Sequence, residues 1–130
     1  MKLMVDNNLS PLLGRGLGEL LKGTHEVIHI KDKFGTGDLK DEEWIERLGK
    51  EGGWCVLSGD RQIAKRRPSR ELFLRAGLVG FFPLPAVLDL TLPRMTARIL
   101  TIWPAMEAIA GSTSRGCYSV GISGGKLQGI

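Results

Sequence analysis

Apolar and polar residues change period several times along the chain, and each change marks an element. Lys2 to Asp6 (KLMVD) is a short apolar run that stops on an acid, which predicts a first strand. Ser10-Pro11 opens a segment whose leucines fall at 13, 17, 20 and 21. That spacing is one stripe of a helix, with serine as N-cap and proline at the first helical position, and Gly23 ends it. In HEVIHI (25–30), His25, Val27 and His29 share one face and Glu26, Ile28 and Ile30 the other, which predicts a second strand. The polar stretch KDKFGTGDLK predicts a loop. In DEEWIERLGKEGG, Trp44, Ile45 and Leu48 form the buried stripe of a second helix that Gly52-Gly53 stop.

WCVLSGD (54–60) predicts a buried third strand that again ends on an acid. RQIAKRR is a helical turn broken near Pro68, and SRELFLRAG resumes the helix with Ser69 as its cap and Leu72 and Leu74 among its apolar positions. LVGFF (78–82) predicts a fourth strand. Met95, Ile99, Ile102, Trp103, Met106 and Ile109 give a long amphipathic helix over residues 91–110, kinked near Pro104. The tail CYSVGISGGKLQGI predicts two short strands about Gly124-Gly125.

Strands alternating with helices imply an α/β domain: a doubly wound, mostly parallel sheet with helices on both faces and right-handed crossovers, plus a C-terminal helix and short tail strands. Residues 1–112 are expected to form that domain, with residues 113–130 as a tail hairpin packed on it. Such sheets bind ligands at the carboxyl ends of the first and third strands, where strand order reverses. Asp6 and Asp60 are the residues expected there.

Composition narrows the class. A chain of 130 residues, 42% hydrophobic and 25% charged, has the length and balance of one globular domain. With a mean hydropathy of −0.01 and no long apolar run, no membrane span is expected. Asp6 interrupts the N-terminus too early for the apolar core of a signal peptide, which predicts a cytoplasmic protein. Two cysteines make no disulfide scaffold, and Cys55, inside WCVL, reads as a buried thiol.

Charge is divided unevenly. Residues 1–60 carry eight Lys/Arg and eleven Asp/Glu, whereas residues 61–130 carry ten and three. Much of the excess is one run, Arg61, Lys65, Arg66, Arg67, Arg70 and Arg75, interrupted only by Glu71. Such a run attracts a polyanion, or is simply a solvated helix face.

Two carboxylates a strand spacing apart repel each other, so a cation or a proton must compensate them. Magnesium prefers oxygen ligands and needs only one or two carboxylates from a protein. Asp41 shares the inward stripe with Trp44, Ile45 and Leu48 and is the third candidate, whereas Glu42 and Glu43 splay outward. The structural alternative for each acid is a cap: Asp6 on the turn from Asn7 to Pro11, Asp60 on the following helix, Asp38 and Asp41 at a helix start. His25 and His29 are spaced for a metal pair on a helix, not on a strand, and read as structural. GISGGK resembles part of a phosphate loop but lacks the full GxxxxGK[ST] pattern, and it reads as a turn.

VDNNLSP after a short strand, HEVIHI, DEEWI and VLSGD, in this order, resemble the PIN-like ribonucleases over roughly residues 1–85, close to the branch that includes toxins of the VapC type. The resemblance implies a compact α/β nuclease fold, an acid cluster holding Mg2+ or Mn2+, and hydrolysis of RNA phosphodiester bonds. It matches Asp6 to the first-strand acid, Asp41 to the acid at the second helix and Asp60 to the acid closing the third strand. No fourth acid follows Asp60, which leaves Asn7, Glu42 and Ser58 as candidates to assist. Arg61, Lys65, Arg66, Arg67 and Arg70 are the expected RNA-binding residues.

Toxins of this kind pair with an antitoxin protein and with themselves. The apolar stripe of the 91–110 helix, with the tail around Cys117–Ile122, is the expected surface for an antitoxin or a homodimer. Two other classes compete: a non-catalytic RNA- or protein-binding module on the same fold, and a phosphoreceiver-like signalling domain with Asp60 as acceptor. Asp6-Asn7-Asn8 in place of paired acids argues against the receiver.

Overall fold

The computed structural model describes residues 1–130. Six strands form one sheet: β1 (Lys2–Val5), β2 (Glu26–His29), β3 (Trp54–Leu57), β4 (Val79–Pro83), β5 (Gly116–Val120) and β6 (Gln128–Gly129). Their spatial order is β2-β1-β3-β4-β5-β6, with every pair parallel except β5 with β6. This is the doubly wound, mostly parallel α/β architecture that the alternation of periods predicts. The helices are α1 (Pro11–Leu20), α2 (Ile30–Phe34), α3 (Asp41–Glu51), α4 (Gln62–Lys65), α5 (Arg67–Arg75), α6 (Pro85–Leu88) and α7 (Leu92–Ser112). No helix is long and apolar enough to cross a membrane.

Period-two alternation divides the strand side chains between two cores. Leu3, Val5, Cys55, Leu57, Val79 and Phe81 face α1 and α7, and Met4, Trp54, Val56 and Phe82 face α3, α4 and α5. α1 lies unusually close to the sheet. A Cβ on Gly18 would stand 2.8 Å from the Val27 carbonyl oxygen, whereas one on Gly16 would meet nothing within 4 Å.

The final crossover departs from the expected handedness. From β2 to β3 and from β3 to β4 the chain advances in one direction along the sheet over the α3–α5 face. From β4 to β5 it advances in the same direction over the opposite face, so this crossover has the opposite hand to the others. Burial supplies the reason. Leu57, Phe81 and Val120 need cover that α1, packed beside β2, does not extend to, while α3 to α5 already occupy the other face. α7 supplies that cover with Met95, Ile99, Ile102, Trp103 and Met106, all buried. The stripe expected to remain for a partner is therefore spent on the fold, and Cys117 beside it is buried too.

Local boundaries also shift. Ser69 does not cap a helix: α5 starts at Arg67 with Arg66 at the N-cap, and Pro68 sits in the first turn, where its missing N–H costs nothing. The Ser69 hydroxyl instead faces the carbonyl oxygens of Gln62, Ile63 and Arg66 at 3.0–3.2 Å, tying α4 to α5. The expected loop after β2 begins with α2, capped by His29, whose Nδ1 accepts from the Lys31 amide at 3.1 Å. The tail strands join the main sheet through β4, with Gly121–Leu127 as the loop between them.

Candidate active site

β1 and β3 are adjacent and in register, Val5 opposite Leu57, so the chain leaves both strands at the same edge of the sheet. Asp6 follows β1 directly, and its amide continues the ladder to the Leu57 carbonyl at 2.9 Å. Asp60 lies three residues past the end of β3, outside the strand that it was expected to close.

Asp6 is only 5% exposed, so both of its oxygens need donors. Oδ1 accepts from the Asn7 amide at 2.7 Å, and Oδ2 accepts from the hydroxyl of the buried Ser58 at 2.7 Å. The same hydroxyl oxygen accepts from the Asp60 amide at 3.0 Å, which fixes the chain direction at Asp60. Asp60 Oδ1 then accepts from the Gln62 amide at 3.0 Å, a cap on the start of α4. Asn8 closes the turn from the other side: its Oδ1 accepts from the Gly59 amide at 2.8 Å.

Asp41 stands in the first turn of α3, held by an indole bond from Trp44 Nε1 to Oδ1 at 3.0 Å. It lines a cleft of about 460 Å³ together with Glu42, Asp60, Gln62, Arg66 and Ser69. Burial pushes the Asp41 carboxyl up, opposed by the Trp44 bond and reinforced by the negative charges of Asp6, Asp60 and Glu42. Burial likewise pushes the Asp6 carboxyl up, opposed by the Ser58 and Asn7 bonds and reinforced by Asp60. The three acids therefore sense one another, and none of them is in an ion pair.

In donor chemistry and charge this set suits a hard divalent cation: oxygen ligands only, mutual repulsion and no internal counter-ion. As the side chains stand, however, no three His, Cys, Asp or Glu groups come close enough together to hold one ion.

The assisting candidates divide. Ser58 is central to the network and Glu42 lines the cleft. Asn7 contributes its amide to Asp6, while its side chain lies against Gly37, where a Cβ would collide with the Asn7 amide group. The basic run divides as well. Arg66 lines the cleft, Lys65 is exposed, and Arg67 pairs with Glu71 at 3.2 Å. Arg70 is committed to main chain, donating to Ala64 O at 3.0 Å and Ile130 O at 2.6 Å, and the buried Arg61 Nε has no partner. Both histidines are structural. His29 is fully buried with Nε2 at 2.8 Å from Leu9 O, and His25 packs edge-on to Trp103.

Sequence reading missed Asn8 and Gln62. Asn8 carried one signal, three polar residues in succession at a strand end. Gln62 carried another, a position one helical turn before Arg66 on the side opposite the buried Ile63 and Ala64.

A family model described as a PIN like domain matches residues 1–83. Comparisons with curated proteins and with solved structures each return no match.

Proposed function

The chain belongs to the PIN-like domain family, and from that premise we propose that it is a metal-dependent endoribonuclease that hydrolyses RNA phosphodiester bonds. PIN-like domains are commonly nucleases. The observation that carries the reading is the gathering of Asp6, Asp41 and Asp60 at one edge of the sheet, mutually repelling and without a counter-ion beside a cleft.

One or two of Asp6, Asp41 and Asp60 would hold Mg2+ or Mn2+, with water completing its shell, an ion that when bound neutralises charge at a phosphoryl oxygen and acidifies water. Each of the other residues has a narrower task. Ser58 orients Asp6 and fixes the backbone at Asp60. Asn8 holds the Gly59 amide, so the turn carrying Asp60 is braced from both sides. Arg66 and Lys65 attract the phosphate backbone to the cleft mouth, and Gln62 presents an amide to whatever enters.

In the finer form of the proposal the chain is the toxin of a VapC-type toxin–antitoxin pair, acting in the cytoplasm and held by an antitoxin protein or as a homodimer. Co-purification with the product of a neighbouring reading frame tests that part. A second reading, a non-catalytic RNA-binding module, is favoured by one observation: no three metal-ligating groups stand within reach of a single ion.

Cleavage of RNA by the purified chain separates the two. The expected result is Mg2+- or Mn2+-dependent cleavage that EDTA abolishes and that Asp60→Asn lowers by about 100-fold or more. Cleavage indifferent to both treatments points to a contaminating nuclease, and metal-independent binding without cleavage points to the module.

A further inference from the structure

Arg98 is a cation that the acidic cleft does not use. It lies on α7, is only 8% exposed, and makes one hydrogen bond, from Nε to the carbonyl of Gly121 at 2.8 Å. Its Nη2 is buried without a partner, and no carboxylate pairs with it. Burying a guanidinium unpaired is costly, so its retention calls for an anion.

The residue it touches opens the glycine-rich loop Gly121–Lys126. No backbone N–H from Ile122 to Lys126 donates to a backbone carbonyl, so the loop offers a row of free donors. Gly124 adopts a left-handed φ of 84°. A left-handed residue within such a run turns neighbouring N–H groups to one side, the arrangement of an anion nest. Lys126 closes the loop with an exposed ammonium, and Arg94, also exposed, lies one helical turn before Arg98 on α7. The loop leaves β5 at the edge of the sheet where Asp6 and Asp60 lie, two strands from β3 and hence roughly 10 Å along the sheet.

We propose that the loop Gly121–Lys126, with Arg98 bonded to its first residue, is a phosphate-binding site that grips the RNA backbone away from the acidic cleft. The choice of RNA as the source of the phosphate rests on the ribonuclease reading; the site itself does not. A strand crossing the sheet edge from the acids toward β5 would place a flanking phosphate on the loop amides, with the Arg98 and Lys126 charges behind it.

Amide-resolved NMR of the full chain in EDTA, with cleavage off, tests the proposal. Inorganic phosphate is expected to shift the amides of Ile122–Lys126 saturably, with the midpoint raised about tenfold in Lys126→Ala and in Arg98→Met. Lys126 is exposed, so its variant keeps the fold even if Arg98→Met does not. A short RNA oligonucleotide is expected to shift the same amides, and Lys126→Ala to lower the salt slope of its binding by about one. Absence of a saturable phosphate shift in the wild-type chain overturns the site. Phosphate binding with RNA affinity and salt slope unchanged in Lys126→Ala overturns the RNA assignment and leaves a free phosphorylated molecule as the ligand. A chain that cleaves no RNA yet shows both sets of shifts loses the nuclease reading and keeps the site.

Discussion

Ser58 on the β3 side donates its hydroxyl to Asp6 Oδ2 on the β1 side at 2.7 Å, while the same oxygen accepts the Asp60 amide at 3.0 Å. One buried hydroxyl thereby links the two acids that the strand order brings together, orienting the side chain of one and the backbone of the other. Its proton is committed to Asp6, which makes Ser58 a positioning residue and not a nucleophile.

Removing that hydroxyl is therefore expected to affect both stability and turnover. Ser58→Ala leaves Asp6 Oδ2 and the Asp60 amide without their partner, at a cost of about 1–3 kcal/mol of folding stability. Cleavage should fall by about 10- to 100-fold, because the acids are no longer held relative to each other. Ser58→Thr keeps the hydroxyl and should restore cleavage beyond what its stability recovers. Denaturant melts and cleavage rates of the two variants check this, and equal losses in both would reduce Ser58 to a packing residue.

Asp6 gives a pH dependence whose sign follows from burial. Its carboxyl is held above the ordinary value of 3.8, chiefly by desolvation. The folded state therefore binds the proton more tightly than the unfolded state, so the carboxyl lowers stability as pH rises through this window and does so fully above its folded-state value. Asp6→Asn removes the charge and keeps Oδ1 for the Asn7 amide, while its Nδ2 replaces the oxygen that accepts from Ser58, a loss that does not depend on pH. It should raise Tm at pH 7 by about 3–5 °C for each kcal/mol relieved, with the gain shrinking as pH falls toward 4, near the ordinary carboxylate value. A Tm difference between variant and wild type that stays the same from pH 7 to pH 4 would contradict the desolvation argument.

Two glycines of α1 should respond in opposite directions to the same substitution. Gly16 faces open space, so Gly16→Ala should stabilise by about 0.5–1 kcal/mol through helix propensity. A Cβ on Gly18 would stand 2.8 Å from the Val27 carbonyl oxygen, closer than such atoms approach. Gly18→Ala should destabilise by about 1–3 kcal/mol as α1 is forced off β2. Thermal melts of the pair decide it, and stabilisation by both would place α1 farther from the sheet.

Much of this geometry is legible in the order of the residues alone. Short apolar runs in KLMV and WCVL and alternation in EVIH locate three strands, and the acids after the first and third mark the same edge because parallel strands share a direction. The helical stripe of α7 identifies which side chains are buried, but a stripe carries no information about which face of a sheet receives it, so the reversed hand of the last crossover is hidden. Ser69 misleads because serine before an acidic, apolar segment is a common cap, whereas here proline in the first turn goes with a helix start three residues earlier, with Arg66 at the N-cap. Asn8 and Arg98 act through contacts across 51 and 23 residues of chain, which no local pattern records.

The basic run supplies the last expectation, because its members are not equivalent. Lys65 and Arg66 are exposed and free of ion pairs, and Arg66 lines the cleft beside Asp41 and Asp60. Each is placed to replace one counterion on a phosphate, so Lys65→Ala and Arg66→Ala should each weaken RNA binding at low salt and lower the salt slope by about one. Arg70 belongs to the same run but gives its guanidinium to Ala64 O and Ile130 O, joining α4, α5 and the tail. Arg70→Ala should therefore lower Tm, because two carbonyls lose their donor, while leaving the salt slope near that of the wild type. Filter binding across a salt series, paired with melts of the three variants, separates these roles. Equal slopes lost at all three positions would mean that RNA draws Arg70 away from the main chain on binding.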